Sequence, residues 1–320
     1  MMDSRDSPRG HRPLFSVILP CRGRAVSLTR ALKAVMAQTE SDWEAIVVDD
    51  ASTEPLGPVV GRFEDPRLRC LRLERNLGPA GAREAALGAA KGRYAAFLDS
   101  DDVWAPEALA WHRSRLEDQG RRVSVAGAIV GRSSPRRIRP ARASRPGERI
   151  ATYLFIENEY AQMSGVSAPL HVARSAGFGN LRQYEDWYFL IRAEALGAEV
   201  EVSDAPLVIR DDDDTGDRMG ATDDLGRAEA FLAAMAGMLR PEERNGFELR
   251  CLAPTLLVDH RRDAVRLVLR TAWRHKALRG AAAKLLLRAA VGPTRYAQIR
   301  TTADALRAGW RRDFVRIRIG

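Results

Sequence analysis

The stretch "FLDSDDVW", at residues 97–104, decides the fold because an apolar strand ends there directly in three carboxylates. Like charges repel, so a chain that places Asp99, Asp101 and Asp102 together needs a counter-charge at that point. Mg²⁺ or Mn²⁺ could supply it, since these cations take oxygen ligands and bind through carboxylates plus substrate phosphates. A solvated acidic turn is the alternative for an isolated motif of this kind. The position directly after a buried strand favours a ligand site.

The first third of the chain alternates apolar runs of strand length with segments of helical spacing. The predicted strands are "LFSVILP" (14–20), "EAIVVDD" (44–50), "LRCLRLE" (68–74) and "RYAAFLD" (93–99). This βαβαβαβ order predicts a parallel sheet covered by helices on both faces, with ligands beyond the carboxyl ends of the strands. Two of these strand ends are acidic, so we expect the sheet to direct carboxylates into a ligand crevice. A fifth strand, "VSVAGAIV", precedes an exposed loop rich in Arg, Pro and Ser.

Composition limits the class of protein. The chain has 320 residues, 45% hydrophobic and 29% charged, which is typical of a globular protein with a sizeable core. Its apolar runs are too short for a membrane span, and its first residues lack the apolar core of a signal peptide. Three widely separated cysteines suit reduced thiols better than a disulfide framework. We therefore expect a cytoplasmic protein.

The net charge of +9 is unevenly distributed. From Arg250 onward there are 17 Lys and Arg against 4 Asp and Glu, whereas the remainder has 34 against 38. Such a near-neutral body argues against a basic nucleic-acid-binding protein, which is the alternative outside enzymes. Residues of two kinds recur at helical spacing in the tail: Arg262, Arg266, Arg270 and Arg274, and beside them Val265, Leu269 and Trp273. This pattern predicts a basic amphipathic helix that either lies on an anionic membrane surface, as on the cytoplasmic face of the inner membrane, or packs on the catalytic domain with its arginines in water.

Two further motifs follow strands of the predicted sheet. In "VVDDAST", at 47–53, Asp50 lies where acidic residues of dinucleotide folds accept hydrogen bonds from a base or ribose, although helix capping by Asp50 or Ser52 is the alternative. "NLGPAGAR", at 76–83, is only a partial glycine fingerprint and therefore disfavours a nicotinamide dehydrogenase. Its Arg83 either reaches a phosphate or base or faces solvent.

Together "FSVILPCRGR", "VVDDAST", "DPRLRCLRLERNLGPAGAREAAL" and "FLDSDDVW", in this order and spacing, resemble the nucleotide-sugar half of the family 2 glycosyltransferases, which have the GT-A fold. The resemblance covers residues 14–120. It implies that Asp50 recognises the nucleobase and that Arg83 assists nucleotide binding. It also implies that Asp99 contacts the ribose and that Asp101 ligates the metal.

The same resemblance points to "RQYEDWYFLIRAEALG", at 182–197. In the family a Glu-Asp pair ahead of such a helix supplies the catalytic base, which makes Asp186 the candidate and Glu185 its neighbour. An inverting transfer needs a carboxylate that faces the anomeric carbon and takes the proton of the acceptor hydroxyl. The alternative is an ordinary acidic first turn, favoured by the helix dipole.

The sequence departs from the family pattern at two places. "PCRGR" stands where a Thr-Tyr-Asn-like stretch is frequent, although Arg24 fits the usual pattern. Many members have a histidine after the late strand, where this chain has "LVIRDDDDTGDRMG". Asp211–Asp214 either substitute for it or form a solvated acidic loop, and Arg210 or Arg218 could pair with phosphate instead.

The predicted function is an inverting, metal-dependent transfer of one sugar from a nucleoside diphosphate sugar, first of all a UDP-sugar. The acceptor is a glycan or a lipid-linked glycan of exopolysaccharide or other surface polysaccharide synthesis. The chain lacks the Q-x-x-R-W motif of processive synthases, which favours single addition. A sugar-phosphate nucleotidyltransferase is the alternative enzyme, for which "PCRGR" is a poor phosphate loop. We divide the chain into a donor half (14–120), an acceptor and catalytic-base half (121–245) and a helical basic tail (246–320).

Overall fold

The computed structural model describes residues 12–117, 120–131, 137–210 and 225–291. They form two compact units that divide between Leu239 and Arg240. Both acidic strand ends and the Glu-Asp pair lie in the first unit, and the described part of the basic tail lies in the second.

The four predicted strands are present, with ends within two residues of their expected positions: β1 (Phe15–Cys21), β2 (Trp43–Asp49), β3 (Leu68–Arg72) and β4 (Tyr94–Phe97). They are parallel and lie in the order β3-β2-β1-β4. Because the carboxyl ends of parallel strands meet at one edge, the acidic residues after β2 and β4 lie at the same edge of the sheet. This arrangement confirms the expected parallel direction of the first four strands.

Three helices connect these strands: α1 (Ala25–Met36), α2 (Gly57–Gly61) and α3 (Gly78–Ala89). Helix α1 buries Leu28, Leu32 and Val35 at i, i+4 and i+7, the spacing of an apolar helix face. These side chains pack in the same core cluster as Val17 and Leu19 of β1. The core thus fixes the carboxyl end of β1, where Arg24 precedes the helix.

The rest of the sheet corrects the expectation of a parallel sheet. Five further strands complete it: β5 (Asp102–Trp104), β6 (Arg122–Val130), β7 (Arg137–Arg139), β8 (Val166–Pro169) and β9 (Glu199–Arg210). The main order is β3-β2-β1-β4-β8-β6-β9-β5, with β7 on β6. Strand β8 runs antiparallel to β4 and to β6, so the whole sheet is mixed. Strands β5, β7 and β8 were not predicted, because three or four residues are too few to show a period, and β7 lies within the stretch that was expected to be an exposed loop.

The remaining helices before the division of the chain are α4 (Ala108–Leu116), α5 (Ile150–Phe155), α6 (Leu170–Ala176), α7 (Glu185–Ala195) and α8 (Leu225–Ala234). A 3₁₀ turn at Met163–Gly165 leads into β8. Gly165 is required in this turn, since a Cβ atom there would collide with the carbonyl oxygen of Ala126. The close approach brings Ser164 to the strand ends.

The second unit is helical where it is described, as expected of the tail. It consists of α9 (Pro241–Phe247), a π-helical turn (Glu248–Leu252), α10 (Ala253–Asp259), α11 (Arg261–Arg274) and α12 (Arg279–Val291). Helix α11 packs against α10 and α12. In the ranges that the structure describes, no helix is long and apolar enough to cross a membrane.

Candidate active site

The acidic end of β2 is held by backbone N–H groups. Asp49 is buried, and its two carboxylate oxygens accept hydrogen bonds from the N–H groups of Ser52, at 2.9 Å, and Leu56, at 3.1 Å. Asp50 accepts the N–H groups of Leu77, at 2.7 Å, and Gly78, at 2.9 Å, at the beginning of α3. Both carboxylates therefore tie loops to the sheet, and Asp50 lies at a helix N-terminus, which favours negative charge.

The acidic end of β4 is held by side chains. The carboxylate of Asp99 accepts a hydrogen bond from Arg83 Nη2 at 2.5 Å, and that of Asp101 accepts one from Arg24 Nη1 at 2.7 Å. The side chain of Asp99 remains 34% exposed. Two of the three repelling charges are thus paired with arginines that come from other loops and helices of the first unit.

Asp102 is buried and takes a different role. Its carboxyl accepts the hydroxyl of Ser164 at 2.6 Å, while the same hydroxyl oxygen accepts the N–H of Asp99 at 3.1 Å. Burial raises the pKa of Asp102 to about 8, and the charges of Asp99 and Asp101 add to the rise, against Ser164 and Arg210. Burial and the two neighbouring charges thus favour the protonated form of Asp102. Two carboxylates of the motif are paired with arginines, and the third is hydrogen-bonded to Ser164.

Arg83 connects the acidic loop with the Glu-Asp pair. Its side chain is only 2% exposed, and its Nη1 donates to Glu185 Oε1 at 3.0 Å while Nη2 donates to Asp99. The guanidinium lies 5.5 Å from the ring centre of Phe178, which makes an edge contact with Phe97 at the end of β4. Arg83 therefore does not face solvent; it pairs with both of the carboxylates that flank it.

Asp186 lies at the beginning of α7 and accepts the N–H of Trp187 at 2.8 Å. Burial raises its pKa to about 7, and the charge of Glu185 adds to the rise, whereas the Trp187 N–H and Arg83 oppose it. A carboxylate with a pKa near the working pH is suited to accept a proton in a general-base step. Tyr184, which precedes the helix, has a φ of 64°, a left-handed conformation that sets the direction in which the helix starts.

Arg210 ends β9 and donates from Nη1 to the hydroxyl oxygen of Tyr160 at 2.9 Å, and that hydroxyl donates to Gln162. Burial raises the pKa of Tyr160 to about 12; Arg210 opposes the rise, and Asp102 and Asp186 add to it. Tyr160 thus lies within the field of both the acidic loop and the Glu-Asp pair. Asp211–Asp214 and Arg218 lie outside the described residues.

The donor set fits a metal ion only in part. Within the described ranges, no three His, Cys, Asp or Glu side chains are grouped so that they could hold a metal by themselves. Mg²⁺ usually binds through one or two carboxylates and substrate phosphates, a set that Asp101 and a diphosphate would supply. Arg24 pairs with one oxygen of that carboxylate, so a metal ion there would bind beside the guanidinium or in its place.

Sequence reasoning missed Ser164, Tyr160 and the pairing of Arg24. Ser164 also receives, through its carbonyl oxygen, the indole N–H of Trp104 at 2.6 Å, so it links the acidic loop to the start of β8. Gly165 was a local signal for Ser164, because a glycine before a strand indicates that another part of the backbone approaches closely there.

The mixed sheet, with acidic strand ends beside a helix N-terminus, defines a GT-A type α/β protein. A solved structure of TarS of S. aureus, residues 1–349 with UDP-GlcNAc, superposes with a TM-score of 0.63 over 79% of each chain at 20% identity. The mannosyltransferase PcManGT of Pyrobaculum calidifontis, solved with GDP-Man and Mn²⁺, superposes with a TM-score of 0.55 over 93% of this chain and 81% of that one, at 22% identity. These likenesses confirm the GT-A fold.

The sequence profile of Glycosyl transferase family 2 matches residues 16–178, just over half of the chain. The chain belongs to this family. It is 31% identical to the succinoglycan biosynthesis protein ExoO of Rhizobium meliloti over 166 residues, 52% of this chain and 44% of that protein. It is 40% identical over 103 residues, 32% of this chain and 41% of the other, to WfgD of Escherichia coli, a UDP-Glc:alpha-D-GlcNAc-diphosphoundecaprenol beta-1,3-glucosyltransferase. The chain thus spans less than half the length of these relatives.

Proposed function

We propose that the protein transfers a single sugar from a nucleoside diphosphate sugar to a glycan or lipid-linked acceptor, with inversion and with Mg²⁺ or Mn²⁺. Family membership supports sugar transfer over nucleotidyl transfer. The names of the relatives, in succinoglycan synthesis and in glucosyl transfer to a diphosphoundecaprenol-linked sugar, support surface polysaccharide as the product. A UDP-sugar is the first donor to test, and a GDP-sugar the second, since the two solved neighbours hold one of each.

The observation that carries the proposal is the ion-pair chain Asp99–Arg83–Glu185. It joins the acidic loop after β4 to the residue beside Asp186, although Arg83 and Glu185 are 102 positions apart in sequence. A donor held by the acidic loop would therefore lie beside a carboxylate whose pKa is raised to about 7. Close placement of a donor and a base is what a direct displacement needs.

In the proposed reaction, Asp186 accepts the proton of the acceptor hydroxyl while the acceptor oxygen forms a bond to the anomeric carbon. The bond between that carbon and the diphosphate oxygen breaks, and the nucleoside diphosphate leaves with the electron pair. Attack on the face opposite the leaving group inverts the anomeric centre. Glu185, held by Arg83, keeps Asp186 basic through its negative charge.

We assign the binding site of the nucleotide sugar to this edge of the sheet, where different residues would contact different parts of the donor. Asp50 accepts two backbone N–H groups and retains lone pairs for a donor from the nucleobase, and Asp99, partly exposed, is available to the ribose. Asp101 would hold the metal, which would supply positive charge to the leaving diphosphate. Arg24, once displaced, and Arg210 are the cations that we assign to the phosphates.

The test is the stereochemistry and metal dependence of turnover. UDP-, GDP- and dTDP-sugars with an α linkage are supplied with Mn²⁺, with Mg²⁺ and with a chelator, and the anomeric coupling of the product is measured by NMR. We expect a β-linked product and loss of turnover with the chelator. An α-linked product would overturn the assignment of Asp186 as the base in direct displacement. Undiminished turnover in the chelator would remove the metal from the proposal.

A further inference from the structure

Helix α11 has two opposite faces. Ala264, Val268 and Thr271 are buried, and they recur at the four- and three-residue spacing of one helix face. On this face the helix packs against α10 and α12 within the second unit. This face of the helix is therefore covered within the second unit.

The opposite face is defined by Arg262, Arg266, Leu269 and Trp273, spaced by four, three and four residues, and we name it the Trp273 face. Trp273 is 81% exposed and Leu269 is 53% exposed. Single exposed leucines are ordinary on protein surfaces, but an almost fully exposed tryptophan beside a leucine and between arginines is not. Tryptophan with arginine is the pair of side chains favoured where protein meets the headgroup region of a bilayer.

The positive charge of the Trp273 face favours some binding partners over others. The exposed ion pair of Arg266 with Asp263, at 3.4 Å, neutralises little because both groups are in solvent. A second copy of the chain would bring the same arginines into contact with these. Residues 292–320 carry seven arginines against two aspartates and would also be repelled. An anionic partner with an apolar interior is complementary to both properties of the face.

We propose that the Trp273 face binds an anionic lipid surface, with Trp273 and Leu269 inserted among the headgroups and Arg262 and Arg266 paired with lipid phosphates. This surface is independent of the proposed transfer reaction, because its residues take no part in donor binding or proton transfer. Binding should weaken as salt rises, since exposed charges are screened over about 10 Å at 0.1 M salt.

The test is flotation of the full chain with vesicles of phosphatidylcholine alone or with about a third phosphatidylglycerol. We expect flotation only with the anionic vesicles, and its loss as NaCl rises to about 0.5 M. Arg262→Gln with Arg266→Gln should weaken binding roughly 30-fold, since each arginine near such a surface is worth about fivefold. Leu269→Ser with Trp273→Ser should weaken it at least about tenfold. The matched control is Arg62→Gln with Arg75→Gln, two exposed arginines of the first unit, which should bind like the parent.

Circular dichroism checks that each variant is folded, which is expected because all the substituted side chains are exposed. Equal binding to neutral vesicles, or equal weakening by the control pair, would overturn the proposal. A third outcome would also overturn it: the parent chain self-associates, and Leu269→Ser with Trp273→Ser abolishes this self-association but leaves flotation unchanged. The Trp273 face would then join two copies of the chain. Absence of flotation of the parent at low salt would also reject it.

Discussion

At the end of β2, Asp49 and Asp50 are held by the N–H groups of Ser52, Leu56, Leu77 and Gly78. At the end of β4, Asp99 and Asp101 are held by the guanidinium groups of Arg83 and Arg24. The first pair of carboxylates is held mainly by main-chain N–H groups, which cannot leave without unfolding the loop; Arg72 adds one side-chain bond, to Asp49. The second pair is held by side chains, of which that of Arg83 is buried and that of Arg24 is partly exposed.

We infer from this difference that the carboxylates after β2 stabilise the fold, whereas those after β4 serve binding. Hydrogen bonds from Ser52, Leu56 and Arg72 outweigh burial and hold the pKa of Asp49 below its ordinary value, so it is charged throughout the neutral range. At the β4 end, Asp101 and its partner Arg24 are both partly exposed, and we propose that a metal ion takes up Asp101 while the diphosphate takes up Arg24. We therefore expect substitutions at β2 to change stability and substitutions at β4 and α7 to change binding or turnover.

The largest effect is expected from Asp186→Asn, which removes the proton acceptor while nearly preserving volume. Turnover should fall by roughly 10²–10⁴, the usual contribution of a positioned acid or base. Donor affinity should stay within a few-fold, because the Asp186 carboxylate is not assigned to the donor. Single-turnover kinetics and donor titration measure the two quantities separately.

Asp204→Asn is the control for Asp186→Asn, since Asp204 is an exposed aspartate of β9. It should change neither turnover nor donor affinity. Near-normal turnover of Asp186→Asn would contradict the assignment and leave Glu185 as the next candidate in the described part of the site.

Asp101→Asn should weaken metal-dependent donor binding by roughly 100-fold, because the diphosphate would lose its metal bridge. Its stability should change by less than about 1 kcal/mol, since the ion pair with Arg24 is partly exposed. Calorimetric titration of the nucleotide, with and without Mn²⁺, measures the effect.

Arg24→Gln removes the other partner of the same ion pair. We expect it to strengthen Mn²⁺ binding and to weaken nucleotide binding. Without nucleotide, Mn²⁺ should bind more tightly than to the parent, because Asp101 has lost its internal cation. With nucleotide, affinity should fall, because the diphosphate has lost an arginine. Equal Mn²⁺ affinity in the parent, Asp101→Asn and Arg24→Gln would remove Asp101 from the metal site.

Asp49→Asn tests the structural half of the comparison. The asparagine cannot reproduce the charged bonds to two N–H groups and to Arg72 Nη1 at 2.6 Å, so stability should fall by about 2 kcal/mol. The pKa of Asp49 is lowered in the folded state, so its stabilisation is complete above the ordinary carboxyl pKa and is lost as pH falls toward the folded value. The difference in Tm between the parent and Asp49→Asn should therefore shrink below about pH 4. A difference that is equal at pH 7 and pH 3 would contradict a charged role.

Sequence patterns were sufficient for the part of the fold that depends on local periodicity. The four parallel strands and the helices between them follow from apolar runs and breakers, whereas β5 has only three residues and exists through its pairing with β9. In the site, the motifs identify the carboxylates but not their partners. The double pairing of Arg83 joins residues 102 positions apart, and Ser164 belongs to no motif, so only the folded chain shows either.

The smallest effect is expected from Glu185→Gln, and it is a shift in pH dependence. The pKa of Asp186 is raised to about 7, so its base form accumulates as pH rises, and kcat/KM should increase through this range. The charge of Glu185 contributes to the rise, and glutamine retains an oxygen for Arg83 Nη1 while removing that charge. The acidic limb of the pH profile should therefore move to lower pH, with little change in donor affinity. Glu107→Gln, an exposed glutamate before α4, is the charge-matched control and should leave the limb in place. If the limb of Glu185→Gln does not move, or moves to higher pH, the group that titrates is not Asp186, and the Asp102 carboxyl becomes the group to test.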